Sequence, residues 1–285
     1  MDNNLRLSLG KKPLGRMGYG AMRLPGLRGV AEDAALAHRL LSRAVDLGAN
    51  VIDTADFYGA GLANKLIAEA LVPYPENLII STKVGVKAGV DGRPVPAATP
   101  DEIQATVERN LTTLGVDALD LVFLRLAGGP LADSGVPIQS SLACLERLQQ
   151  QGLIRHIGLS SVTASQFAQA SALIPIAAVQ NAYFIGHTGS HDVLQQCSEV
   201  NIPFFAYFPL GMGKLMTQES LLDTVASAHG ATKSQTALAW LLALSPIMVP
   251  IPGTAQIAHL EENMAAVDLR LSAAEIDALS NLHPV

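Results

Sequence analysis

Cysteine is scarce in this chain: two, Cys144 and Cys197, occur in 285 residues. They form no CxxC and no zinc-ligand spacing, which excludes a disulfide framework and a cysteine-based metal centre. Each sits in a helix-like stretch, so the expected reading is buried thiols in a reducing cytoplasm. Charge is also sparse, at 15% of residues, and the net value of -6 argues against a nucleic-acid or anionic-membrane partner. Long apolar runs are missing as well. None approaches the ~20 residues of a membrane helix, because Pro, Gly or a charge intervenes within about ten residues. The opening MDNNLRLSLGKK has no apolar core and no small-residue cleavage site, so no secretory signal is expected. No GxGxxG follows the first strand, which removes the fingerprint of a dinucleotide-binding open sheet. What the chain does have is 49% hydrophobic residues, enough to bury a large core.

The organisation repeats along the chain. Apolar β-type runs are predicted at 18–21, 50–53, 78–83, 119–126, 156–160, 178–183, 204–208 and 247–251. They are continuous rather than alternating, which suits parallel strands covered on their outer side. Helical patterns lie at 32–48, 61–71, 101–115, 138–152, 164–172, 189–200, 232–245 and 256–266. Thr99-Pro100-Asp101-Glu102 reads as a helix start, and Gly48, Gly115 and Gly152 as helix stops. Eight strands alternating with eight helices predict a single-domain α/β (β/α)8 TIM barrel over residues 1–285. Residues 5–14 read as a β-hairpin closing its floor. Two stretches without helical pattern, 86–98 and 127–137, follow strands and so belong to the carboxyl rim, where barrel enzymes keep their sites.

The strand ends carry the chemistry. The second strand runs into Asp53, with Tyr58 five residues later, and the third ends at Lys83. Inward-pointing Asp and Lys on adjacent parallel strands can meet, and Tyr58 can reach the same place. A phenol, with an ordinary pKa of about 10, is a poor acid at neutral pH. A neighbouring ammonium favours the phenolate, and a carboxylate keeps the ammonium charged. The three together make a proton donor suited to an alkoxide forming from a carbonyl. The plainer alternatives are that Asp53 or Asp56 is a helix N-cap and Lys83 a solvated rim charge.

The string Asp53-Thr-Ala-Asp-Phe-Tyr58-Gly59 resembles the active-site signature of the aldo-keto reductases. Further likenesses follow in the family's order: Leu14-Gly15 through Met22-Arg23-Leu24, Leu114-Gly115 through Asp120-Leu121, Gly152 through Ser160, Val179-Gln180-Asn181, Phe208-Pro209-Leu210-Gly211, and Ile251 through Thr254 with Glu262-Asn263. They span essentially the whole chain. The resemblance implies an NAD(P)H-dependent carbonyl reductase on a (β/α)8 barrel, with Tyr58 as general acid and Lys83 and Asp53 tuning it. The family's fourth residue, five after the Asp that opens the fourth strand, is usually His; that count from Asp120 gives Arg125. A guanidinium is always charged and offers a fork of donors. It could polarise a carbonyl or hold an anionic or phenolic oxygen, unless it turns aside to an acid. Arg at this position resembles a bacterial branch similar to pyridoxal reductases, which makes pyridoxal the leading substrate, with pyridoxine as product. A broad small-aldehyde reductase and a cofactor-binding regulatory subunit are the alternatives.

The resemblance also implies the cofactor contacts. Ala21, at the end of the first strand, and Met22, just after it, are the first of them. Ser160, Ser161 and Gln180 would hold the nicotinamide carboxamide, with Asn181 beside them, and Tyr207 would stack on its ring. Phe208, Pro209, Leu210, Gly211, Gly213 and Lys214 resemble a loop that covers pyrophosphate. Ile251, Gly253, Thr254, Gln256 and His259 lie toward the ribose phosphate, and Glu262 and Asn263 toward adenine. NADPH is the expected cofactor. NADH use stays open, because 247–269 contains no Arg or Lys and His259 stands where relatives have Arg. A small carbonyl substrate is the expected partner, a monomer the default, and no metal is expected. His187 and His191 are four apart but lie among glycines. His156 reads as a structural cap before a strand, and Trp240 as core.

Overall fold

The computed structural model describes residues 7–26, 33–90, 94–126, 138–216 and 221–282. The described chain begins with an antiparallel hairpin of β1 (Ser8–Leu9) and β2 (Lys12–Pro13). Parallel pairing then joins β3 (Tyr19–Gly20), β4 (Val51–Asp53), β5 (Ile79–Ala88), β7 (Leu119–Arg125), β8 (Ile154–Ser160), β9 (Ala178–Ala182), β10 (Phe204–Tyr207) and β11 (Met248–Pro250), in that order. The ring closes through two backbone bonds, from Gly18 N to the Pro250 carbonyl and from Gly20 N to the Pro252 carbonyl, both 3.0 Å. The result is a (β/α)8 barrel of one domain.

Glycine is needed at this seam. A Cβ on Gly253 would stand 2.6 Å from the Gly20 carbonyl oxygen, and one on Gly20 would stand 2.8 Å from the Ile251 oxygen. Two backbones approach where side chains would hold them apart.

Helices cover the ring: α1 (Ala34–Asp46), α2 (Leu62–Leu71), α3 (Pro100–Leu114), α4 (Ile138–Gln150), α5 (Ala164–Ser171), α6 (His191–Glu199), α8 (Lys233–Leu244) and α9 (Ile257–Ala265). These eight match the periodic segments of the sequence. In α3, Thr99 and Glu102 form a capping box and Pro100 opens the first turn; Gly115, in the left-handed region, ends it. Short α7 (Leu221–Ala228) and α10 (Ala273–Ser280) stand outside the repeat and have no counterpart in the predicted elements. Trp240, fully buried on α8, donates its indole N–H to Ser280 Oγ at 2.9 Å and so ties down α10.

α10 also carries an acid-sensitive contact. Glu275 accepts from the backbone N–H and hydroxyl of Ser272, both at 2.7 Å, and faces His229. Those bonds, the Ser272 backbone first, hold its carboxyl down to about 2. A depressed folded-state pKa gives stability that is present above the ordinary carboxylate range and lost as pH falls through the folded value. Unfolding curves between pH 5 and 2 should therefore fall less steeply for Glu275→Gln than for the wild type. Parallel curves would refute this role.

The hairpin closes the floor as expected. Leu7, Leu9 and Leu14 are buried, and Lys12 Nζ bonds the Leu78 carbonyl and Asp120 at the amino ends of the strands. Two expectations need correction. The loop expected at 86–98 is strand at both of its described ends, because β5 runs on to Ala88 and pairs antiparallel with β6 (Pro94–Ala97). The prolines of Pro94-Val-Pro-Ala97 obscure this edge strand. His156 does not cap a strand but lies within β8, against Gly10 of the hairpin. Segment 127–137 lies outside the described residues. Both cysteines are buried, and burial pushes the Cys197 thiol up to about 12. No helix among the described residues is long and apolar enough to cross a membrane.

Candidate active site

Strand register builds the site. Asp53 is level with Ser81 on β5, and Arg125 with Ser160 and then Gln180 across β7, β8 and β9. Because strand side chains alternate, Lys83 shares the inward face with Ser81. Lys83 Nζ lies 2.6 Å from Asp53 Oδ2 and 2.9 Å from the Thr54 carbonyl. Both side chains are almost fully enclosed, at 1% and 4% exposure, so the pair is a buried ion pair rather than a rim charge. The other Asp53 oxygen accepts from Ser81 Oγ at 2.8 Å and Gln180 Nε2 at 2.7 Å.

Asp53 is therefore not an N-cap. Neither is Asp56, which is held by Arg109 Nε and Nη2 at 3.0 Å, while the N-cap of α2 is Gly61. Tyr58 sits half-buried above the pair, its ring centroid 5.0 Å from Lys83 Nζ. Its hydroxyl has no hydrogen-bond partner among the described residues. The neighbouring phenols are otherwise committed. Tyr19 is fully buried and donates to the Thr254 carbonyl at 2.7 Å, and burial pushes its pKa well above the ordinary phenol value. Tyr207 OH faces Ser161 Oγ at 3.1 Å.

Arg125 points toward the Tyr207 ring, its guanidinium carbon 5.5 Å from the centroid. Among the described residues no carboxylate pairs with it.

A cavity of about 580 Å³ opens on this cluster. Asp53, Tyr58, Met22 and Tyr207 border it, and the segment after β10 adds Phe208, Pro209, Leu210 and Gly213. From the other side come Ile251, Gly253, Thr254, Gln256, His259, Glu262 and Asn263. Ala21, Ser160, Ser161, Gln180, Gly211, Lys83 and Arg125 are not among the residues that line it. The Lys214 side chain falls outside the described residues. Asn181 is spent on structure, accepting from Val162 N and donating to the Val162 carbonyl. Sequence reasoning missed Ser81 and Ser234, and also Arg23, whose exposed side chain is the only Arg or Lys among the described residues on the cavity wall. Arg23 falls in a short turn after β3, at the end of a stretch that carries a family likeness but assigns it no role. Ser81 was legible: it precedes Lys83 by two and so shares its face.

The aldo/keto reductase family profile matches residues 16–283. Pyridoxine 4-dehydrogenase of Escherichia coli is 44% identical over 281 residues, covering 96% of this chain and 97% of that one. An uncharacterized oxidoreductase of Schizosaccharomyces pombe is 35% identical, covering 93% and 86%. Among solved structures, an aldo/keto reductase from Klebsiella pneumoniae in complex with NADP and acetate superposes with a TM-score of 0.82 at 27% identity, over 97% of this chain and 94% of that one. Fold and likenesses together define an oxidoreductase on a (β/α)8 barrel. The chain belongs to the aldo/keto reductase family.

Proposed function

We propose that this protein reduces an aldehyde to an alcohol with NADPH, and that pyridoxal is its favoured substrate. The observation that carries the chemistry is the buried Lys83–Asp53 pair packed beneath a phenol that borders the cavity. The cavity fits a dinucleotide. Its volume is in the range of ligand sites, its seam at Gly253 leaves backbone exposed, and Thr254, Gln256 and His259 offer donors around the start of α9. When bound, NADPH supplies the hydride. Ser160 and Gln180 would hold its amide, Thr254, Gln256 and His259 its phosphates, and Glu262 and Asn263 the base. Arg23 adds the cation that α9 lacks. The solved relatives with NADP or NADPH support the phosphorylated cofactor.

Tyr58 delivers the proton to the carbonyl oxygen as negative charge builds there. Lys83 keeps positive charge against the phenol, and Asp53 fixes Lys83. Arg125 supplies donors to an oxygen placed beside the carbonyl, and pyridoxal carries a phenolic oxygen there. The E. coli relative's name supports this substrate.

NADPH and NADH consumption with a panel of aldehydes tests the reading. Pyridoxal should be turned over best, and with NADPH. Equal efficiency across the panel would remove the pyridoxal assignment, and no turnover of any aldehyde would remove the reductase. Arg125→Leu should raise KM for pyridoxal about 10- to 100-fold, as loss of a charged hydrogen bond implies, and leave an unsubstituted aldehyde within about threefold. Equal losses on both would place Arg125 outside substrate recognition.

A further inference from the structure

The bond between Gln180 and Asp53 spans the barrel. Asp53 ends β4 and Gln180 lies on β9, 127 residues later, with three strands between them in the ring. Both are buried, Gln180 completely. The Gln180 amide nitrogen gives one hydrogen to Asp53 Oδ1 at 2.7 Å, while its oxygen takes a longer bond from Ser160 Oγ at 3.5 Å. Asp53 Oδ1 has one other donor, Ser81 Oγ at 2.8 Å. The two donors anchor one carboxylate oxygen, which leaves Oδ2 aimed at Lys83 Nζ. Losing a donor to a carboxylate this buried is costly, and rotation of the carboxylate would carry Lys83 away from the Tyr58 ring.

We propose that Gln180 is a positioning residue for proton transfer: through Asp53 and Lys83 it sets the ammonium against Tyr58, besides any contact it makes with the cofactor amide. The inference rests on the reductase reading above. It assigns Gln180 a part in the acid–base step that a purely amide-binding side chain would not have. It also links the two ends of the site, since a group that draws on Gln180 or Ser160 draws on the same chain of bonds that holds Asp53.

Gln180→Met removes both bonds at similar volume. Gln180→Glu puts a carboxyl where the amide nitrogen approached Asp53 at 2.7 Å. Two carboxylates at that separation share a proton, and with that proton Glu restores the donor. At saturating NADPH, Gln180→Met should lower kcat about 3- to 10-fold across the pH range. Gln180→Glu should approach wild type at the acid end and fall away as pH rises. The cofactor-free protein gives an independent reading. Phenolate absorbance of Tyr58, taken as wild type minus Tyr58→Phe, should reach its midpoint at higher pH in the Gln180→Met background.

Unchanged kcat, unchanged pH profiles and an unchanged absorbance midpoint, with only the NADPH Kd weakened, would overturn the proposal. Should the wild type reduce no aldehyde, the absorbance titration still decides whether Gln180 acts on Tyr58. Should the Gln180 variants not fold, Ser81→Ala removes the other Oδ1 donor and must displace the midpoint the same way; an unmoved midpoint there would overturn the proposal.

Discussion

Tyr58→Phe should lower aldehyde turnover by about 10²- to 10⁴-fold, the span general acid catalysis contributes, and leave NADPH binding within about twofold. The substitution removes one oxygen and keeps the ring that packs against Lys83. No other phenol can take its place. Tyr19 is sealed and already donates to Thr254, and Tyr183, buried against His191, is pushed up to about 12. Tyr207 borders the cavity but shares its hydroxyl with Ser161. Steady-state kinetics and a fluorescence titration with NADPH measure the two quantities separately. A kcat within tenfold of wild type would show that another group delivers the proton. Loss of cofactor binding would show that Tyr58 builds the cavity rather than acting in the reaction.

The largest effect on stability should come from Asp53→Ala. The change strips the counter-charge from a buried ammonium and leaves the Ser81 and Gln180 donors facing nothing. Breaking a buried pair by removing one partner costs about 3–5 kcal/mol, against a total stability of roughly 5–15 kcal/mol for a typical domain. The urea midpoint should fall accordingly. Adding Lys83→Met should recover part of the loss, because it removes the stranded charge. An unchanged midpoint in the single variant would mean that water reaches Lys83, contrary to its 1% exposure. A double variant weaker than the single would mean that Lys83 matters for packing more than for charge.

The barrel was largely legible in the sequence because its signals are local. Each predicted helix from 32–48 to 256–266 overlaps an observed one, since caps such as Thr99 with Glu102 and stops such as Gly115 act within a turn. What escaped is short or non-local. β6 exists only as the partner of an extended β5, and α7 and α10 have eight residues each, too few for a clear period. The site divides in the same way. Asp53, Tyr58 and Lys83 could be placed together because strand ends converge in any barrel. That Gln180 reaches Asp53 depends on the width of the ring, which no local pattern encodes. Arg125 was expected either at the substrate or on an acid. It lies along an aromatic face, a contact between β7 and β10 that needs the closed ring.

The seam between Gly20 and Gly253 sets a boundary for anyone who would retool cofactor choice in this protein. A graft of Lys at position 253, to grip a ribose phosphate, would wedge the first and last strands apart, since even a methyl group there meets backbone at 2.6 Å. Room for new charge exists a few residues on, where Gln256 and His259 face the cavity from the exposed start of α9. Redesign that begins at those two positions keeps the ring intact.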